Sequence, residues 1–198
     1  NVIVRTADAG SDSISVKRIF EAHWLAPRRI VYVGTLARNN KRTLFGWVDG
    51  RITMLASHAD AFPVGNERIR VTLIGDQRSR FVVGREFYVG NGDPAYFRGG
   101  VYATNGETWR SVARRGDTLQ TDRGPVPVNG AEVAGLTGAD PVIQIASNKG
   151  FGIVRMTGDG PRILLQQFDT LSDGSIWRNS WPLFPGRFRI SRDSWSGV

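Results

Sequence analysis

The stretch Arg42-Thr43-Leu44-Phe45-Gly46-Trp47-Val48-Asp49-Gly50-Arg51-Ile52-Thr53-Met54-Leu55-Ala56-Ser57-His58-Ala59-Asp60-Ala61-Phe62 decides the fold class. Two short runs of β-branched, aromatic and aliphatic residues flank Asp49-Gly50. That dipeptide tolerates positive φ at both central positions of a primed two-residue turn, whose twist matches that of paired strands. The stretch is therefore expected to be an antiparallel hairpin. Its second strand leads through the small residues Ala56-Ser57 to His58, which opens a short loop closed by Phe62-Pro63. A histidine at a strand end, on a loop carried by a rigid sheet, is well placed for chemistry.

Working outward, the same texture recurs. Short β runs are expected at Ile30 to Val33, Ile69 to Ile74, Phe81 to Val83, Phe87 to Val89 and Gly99 to Ala103. In the second half they are expected at Trp109 to Ala113, Val126 to Val128, Val142 to Ala146, Gly152 to Met156, Ile163 to Phe168, Ile176 to Trp181 and Arg187 to Ile190. Gly, Asp and Pro punctuate them, as in a barrel or sandwich of short strands. One segment breaks the pattern. Ser13 to Leu25 carries apolar residues at 16, 19, 20 and 24, which is helical spacing; Ser13 or Ser15 can cap it and Pro27 ends it. Loop-like residues around 104–124 mark a break between two β halves.

Composition bounds the chemistry. The 198 residues suffice for one generous domain or two small barrels, with 40% hydrophobic and 22% charged residues. The 24 glycines and 9 prolines are scattered, which suits many tight turns. With no cysteine, a disulfide framework, a thiolate metal site and a cysteine nucleophile are all excluded for this chain. The net charge of +8 gives a well-solvated surface and admits an acidic partner such as nucleic acid. The basic residues are nevertheless spread, at Arg28-Arg29, Lys41-Arg42, Arg78 to Arg80, Arg114-Arg115 and Arg187 to Arg192, and form no dense arm. No apolar stretch approaches bilayer-spanning length, so no transmembrane segment is expected. The opening Asn1-Val2-Ile3 lacks a methionine and shows no signal peptide, which reads as a fragment or a processed product, a cut from a longer polypeptide being one natural source.

The run from Thr43 to Ala59, with strand, Asp49-Gly50 turn, strand, small residues and His58, resembles the first barrel of chymotrypsin-like proteases. It is most similar to the polyprotein-processing enzymes of positive-strand RNA viruses, both picornavirus-like and sobemovirus-like. A preceding helix and the Ile30 to Val33 strand suit the picornavirus-like members. The resemblance covers residues 13–75 and implies two antiparallel β-barrels with an N-terminal helix. The expected division is an extension and helix over 1–28, a first barrel over 29–110, and a second barrel over 111–198 that the end at Val198 would leave incomplete.

It implies a serine-type endopeptidase with a polypeptide substrate, acting in host cytoplasm if viral, whose basic surface could also contact RNA. His58 would be the general base. Asp93, in Gly90-Asn91-Gly92-Asp93-Pro94, would orient it, with Glu86 in reserve; as a plain residue Asp93 is a turn-former before Pro94. Ser196, in Trp195-Ser196-Gly197, resembles the nucleophile turn of the sobemovirus-like enzymes, although Ser194 stands where the family carries glycine. The alternative is a non-enzymatic β-rich module, such as a virion structural or receptor- or glycan-binding domain, or a protease-like fold without activity.

Other residues point to less. His23, beside Trp24, reads as a helix-surface or packing residue. Thr137, in Gly135-Leu136-Thr137-Gly138, reads as a loop residue. Two separated histidines give no metal-ligand set, and no phosphate-cradling glycine motif precedes a helix, so neither metal nor cofactor is expected. The six tryptophans, Trp177, Trp181 and Trp195 among them, could stack sugars or bases, with core packing the first expectation.

Overall fold

Residues Val16–Ala26 form a strand, β1, and not the helix their apolar spacing suggests. The computed structural model describes residue 14 and residues 16–70, 80–83, 85–90, 99–137, 140–178, 188–190 and 195–197. β1 pairs along its whole length with β2 (Arg29–Leu36), and its register shifts at Val16/Arg18, Ile19/Glu21 and Trp24/Ala26. Each bulge inserts one residue and moves the alternation out of phase. Val16, Ile19 and Ala22 therefore fall on one face at the three-residue spacing of a helix, although the backbone is extended. Pro27 and Arg28 make the turn to β2, with Arg28 at φ 59°. Proline before a positive-φ residue is the sequence of a tight type II turn.

β3 (Arg42–Val48) and β4 (Arg51–Ser57) complete a four-stranded antiparallel meander in the order β1-β2-β3-β4. The β3–β4 hairpin turns through Asp49 at φ 48° and Gly50 at φ 91°, the primed geometry that the dipeptide predicts. A small hairpin, β5 (Ala61–Val64) and β6 (Glu67–Arg70), follows. A second meander contains β7 (Arg80–Val83), β8 (Glu86–Gly90), β9 (Val101–Thr104) and β10 (Trp109–Ala113). The hairpin of β11 (Thr118–Thr121) and β12 (Gly124–Pro127) leads to a third. This comprises β13 (Gly130–Thr137), β14 (Asp140–Ser147), β15 (Gly150–Thr157) and β16 (Gly160–Gln166). β17 (Phe188–Ile190) pairs with β18 (Trp195–Gly197), and β17 lies beside β13. Among the described residues the chain is all strand and turn, in several antiparallel sheets, none closed into a barrel.

The second sheet is buried on both faces. Along β8, Phe87 and Val89 join the core of the first sheet, with Val31, Val33, Leu44 and Leu55. Tyr88, between them, joins the core of the third sheet, with Ile143, Ile145, Val154 and Ile163. Along β9, Tyr102 faces the first core, and Val101 and Ala103 face the other. Period-two alternation thus separates two cores, and an uninterrupted apolar run is the sequence sign of a strand covered on both sides. The residue 110 boundary expected from sequence falls inside β10.

The β5–β6 hairpin seals the junction of the first two sheets. Phe62 packs against Trp109 at 4.5 Å between ring centroids and edge-on to Tyr102 at 6.3 Å. The Trp109 indole N–H donates to the Leu55 carbonyl at 3.2 Å. At one point the sheets approach so closely that only glycine fits. A Cβ on Gly46 of β3 would fall onto the Gly106 carbonyl oxygen in the β9–β10 loop. His23, expected on a helix, packs its ring on Phe87 at 5.4 Å from the inner face of β1.

Candidate functional site

His58 is the second residue of a four-residue turn that leaves β4. The Asp60 N–H donates to the Ser57 carbonyl at 3.0 Å, closing the turn, and Ala59 takes the positive φ of 64°. The turn is tied to the first residue of β3 and to the residue before it. The His58 N–H donates to the Arg42 carbonyl at 2.8 Å, and Lys41 Nζ meets Asp60 Oδ1 at 2.6 Å. Beneath it, the Thr43 and Ser57 hydroxyls share a buried hydrogen bond of 2.9 Å. The imidazole itself is exposed. Among the described residues it makes no hydrogen bond or ion pair with a carboxylate or hydroxyl side chain.

The expected partners of His58 stand as follows. Asp93 lies outside the described residues. Ser196 is described in its backbone alone, opposite Arg189 in the β17–β18 pair, whose β17 lies beside β13 of the third sheet. Glu86, the reserve carboxylate, is committed elsewhere. Arg110 Nε donates to its Oε1 at 2.8 Å and Arg110 Nη2 to its Oε2 at 2.5 Å. The Tyr88 hydroxyl donates to Oε2 at 2.9 Å and lies 3.0 Å from Arg110 Nη2. The Arg110 hydrogen bonds hold the Glu86 carboxyl below the usual glutamate range, against the opposing effect of burial. Burial, with the Glu86 carboxylate as second cause, pushes the Tyr88 phenol up to about 12. Glu86 therefore anchors the rim of the second sheet.

The structure also assembles a feature that sequence spacing does not reveal. Arg18 of β1 and Arg42 of β3 both stand opposite Thr35 of β2. Residues directly opposed across antiparallel strands share a face. The His58 N–H bond to the Arg42 carbonyl sets the His58 backbone, in the turn after β4, beside Arg42. Phe20, the bulged residue of β1, sits among the two arginines. The guanidinium carbons of Arg18 and Arg42 lie 5.0 and 4.9 Å from its ring centroid, within cation–π range. Phe20 remains 41% exposed. The one sequence sign was Lys41-Arg42 as a basic pair, because the helical reading of β1 placed Phe20 on an apolar face.

Of the remaining residues singled out, Thr137 ends β13. Trp177 packs on the outer face of the third sheet with Val142, Ile153 and Leu165. Trp181 lies outside the described residues, as does the side chain of Trp195. Among the described residues no group of three histidine, aspartate or glutamate side chains could hold a metal ion. No described helix is long and apolar enough to cross a membrane. Compared with protein-family models, curated proteins and solved structures, the chain matches none of them.

Proposed function

We propose that the chain is a serine-type endopeptidase of the chymotrypsin-like, polyprotein-processing kind, with His58 as general base, Asp93 as the carboxylate that orients it and Ser196 as nucleophile. In this reading the sheets belong to two β-barrels, with Ser196 in the second. The observation that carries it is the setting of His58: an exposed imidazole on a tight turn, fixed by backbone and ion-pair contacts to the neighbouring strand. A general base has to be held still and kept open to substrate, and this turn does both.

The chemistry follows from the roles. The Ser196 hydroxyl would give its proton to the imidazole as its oxygen attacks the peptide carbonyl carbon. The imidazolium would return that proton to the departing amine, which leaves an acyl-enzyme. Water would then repeat the sequence and release the acid. Cleavage of peptide libraries by the purified chain tests the reading, with His58→Ala and Ser196→Ala as controls whose circular dichroism matches the parent. Loss of cleavage in both is expected. Undiminished cleavage in either refutes its assigned role, and absence of cleavage by the parent refutes the reading.

One observation favours a second reading, a β-rich binding module without catalysis. The described sheets stack as open layers that share the second sheet. Capture of a receptor or glycan, with no reaction toward an active-site serine probe, would favour it.

A further inference from the structure

We infer that the outer face of the first sheet binds a neutral, extended oligosaccharide whose pyranose rings stack on Trp24 and Trp47. Strand register sets these two residues in one row. Trp24 of β1 stands opposite Ile30 of β2, Ile30 opposite Trp47 of β3, and Trp47 opposite Ile52 of β4. Directly opposed residues share a face. That face is the one on which Ile30, Trp47 and Ile52 pack with Tyr32 and Phe45, away from the core shared with the second sheet. Trp24 is 61% exposed, and Trp47 and Ile52 are half-buried. In the neighbouring row the stacked rings of Tyr32 and Phe45 form a packed floor that ends at the exposed Met54.

Spacing, charge and area together select the ligand. Trp24 and Trp47 are two strand spacings apart, about 10 Å, which is the length of a disaccharide unit in an extended β-linked chain. A pyranose offers an apolar C–H face, and the face of an indole is electron-rich. Two indoles at that spacing therefore receive every second sugar of such a chain. In a chain of net charge +8, this row, the one beside it and the one beyond, which ends in Thr43 and Ser57, contain no charged residue. At the turn end of the row, Arg28 Nε and Asp49 Oδ1 neutralise each other at 3.2 Å, and both side chains are largely exposed. They add no net charge, yet they offer donors and acceptors to hydroxyl groups. A polynucleotide would need a basic track along its backbone instead. The exposed area of the row is on the order of 250 Å², enough for a few sugar rings, whereas a stable protein interface takes about 800 Å² from each partner. Ile52 lies near the start of β4 and His58 beyond its end, so saccharide binding here does not depend on peptidase activity.

Isothermal titration calorimetry of the full chain tests this with the β-1,4-linked hexasaccharide of glucose, its α-1,4-linked counterpart, whose chain curves away from a flat face, and glucose itself. The β-linked chain should bind at least about tenfold more tightly than the other two, because only it reaches both indoles. Trp24→Ala should weaken it about tenfold, the worth of one aromatic contact, and Trp24→Phe should restore part of the loss. Phe168→Ala, which removes an exposed ring elsewhere, should leave it unchanged. Urea unfolding shows that each variant is folded like the parent. No binding of the β-linked chain at millimolar concentration overturns the proposal, as does equal binding of the two hexasaccharides or binding that survives Trp24→Ala. Trp24-dependent binding of a single-stranded RNA oligonucleotide, or a Trp24-dependent dimer in sedimentation, also overturns it and makes the row a nucleic-acid or self-association surface. Peptide cleavage without saccharide binding sinks the proposal and spares the endopeptidase reading. Saccharide binding without cleavage does the reverse.

Discussion

Replacing Tyr32 by phenylalanine should make the chain more stable. Tyr32 lies on β2 with 1% of its surface exposed, and among the described residues its buried hydroxyl has no hydrogen-bond partner. Its ring stacks on Phe45 at 5.0 Å between centroids, a contact that phenylalanine retains. A buried hydroxyl without a partner costs about 1–3 kcal/mol. The void left by one oxygen returns less than about 1 kcal/mol of that. The net expectation is a gain of about 1 kcal/mol, or roughly 2–4 °C in melting temperature for a chain of this size. Urea unfolding followed by tryptophan fluorescence measures it, with an unchanged m-value showing that the native and unfolded states are comparable. A loss of stability in Tyr32→Phe would refute the reasoning, since it would mean that the hydroxyl has a partner. Burial also holds the Tyr32 phenol well above the usual tyrosine range.

The same logic applies to Gln144 on β14, which is 1% exposed and whose amide atoms have no hydrogen-bond partner among the described residues; Gln144→Leu should raise the urea midpoint. Gly46→Ala should lower stability by about 3 kcal/mol or more, read by the same unfolding curve, because its methyl would meet the Gly106 carbonyl. Glu86→Gln should cost about 1 kcal/mol at neutral pH, since the pair with Arg110 is bidentate but lies at a half-exposed rim. The folded-state pKa of Glu86 is depressed, so its contribution is present above the ordinary glutamate value and lost as pH falls through the lower, folded one. Tyr88 is raised to about 12, so its contribution is complete below the ordinary tyrosine value near 10 and lost as pH rises toward 12. Melting temperatures across pH, compared between the parent and Glu86→Gln, should converge on the acid side.

The hairpin was legible in the sequence because Asp49-Gly50 fixes its own turn geometry, and that placed His58 at the end of a strand. β1 was not legible. Its first two bulges convert the period of a strand into the spacing of a helix, and only pairing with β2 distinguishes the two. The apolar run Phe87-Tyr88-Val89 announced a strand, but no local pattern says which neighbour each face will meet. The grouping of Arg18 and Arg42 around Phe20 depends on the register of three strands, so residues far apart in sequence become neighbours through pairing alone.

Sharing the second sheet between two cores also has a consequence for unfolding. Opening the first core exposes Phe87, Val89 and Tyr102, and it withdraws support from the backbone that holds Tyr88, Val101 and Ala103 in the other. Neither core has a wall of its own on that side. Amide hydrogen exchange along β8 and β9 should therefore proceed only through global opening, with protection equal to the full unfolding free energy, while the outer strands exchange through smaller local fluctuations.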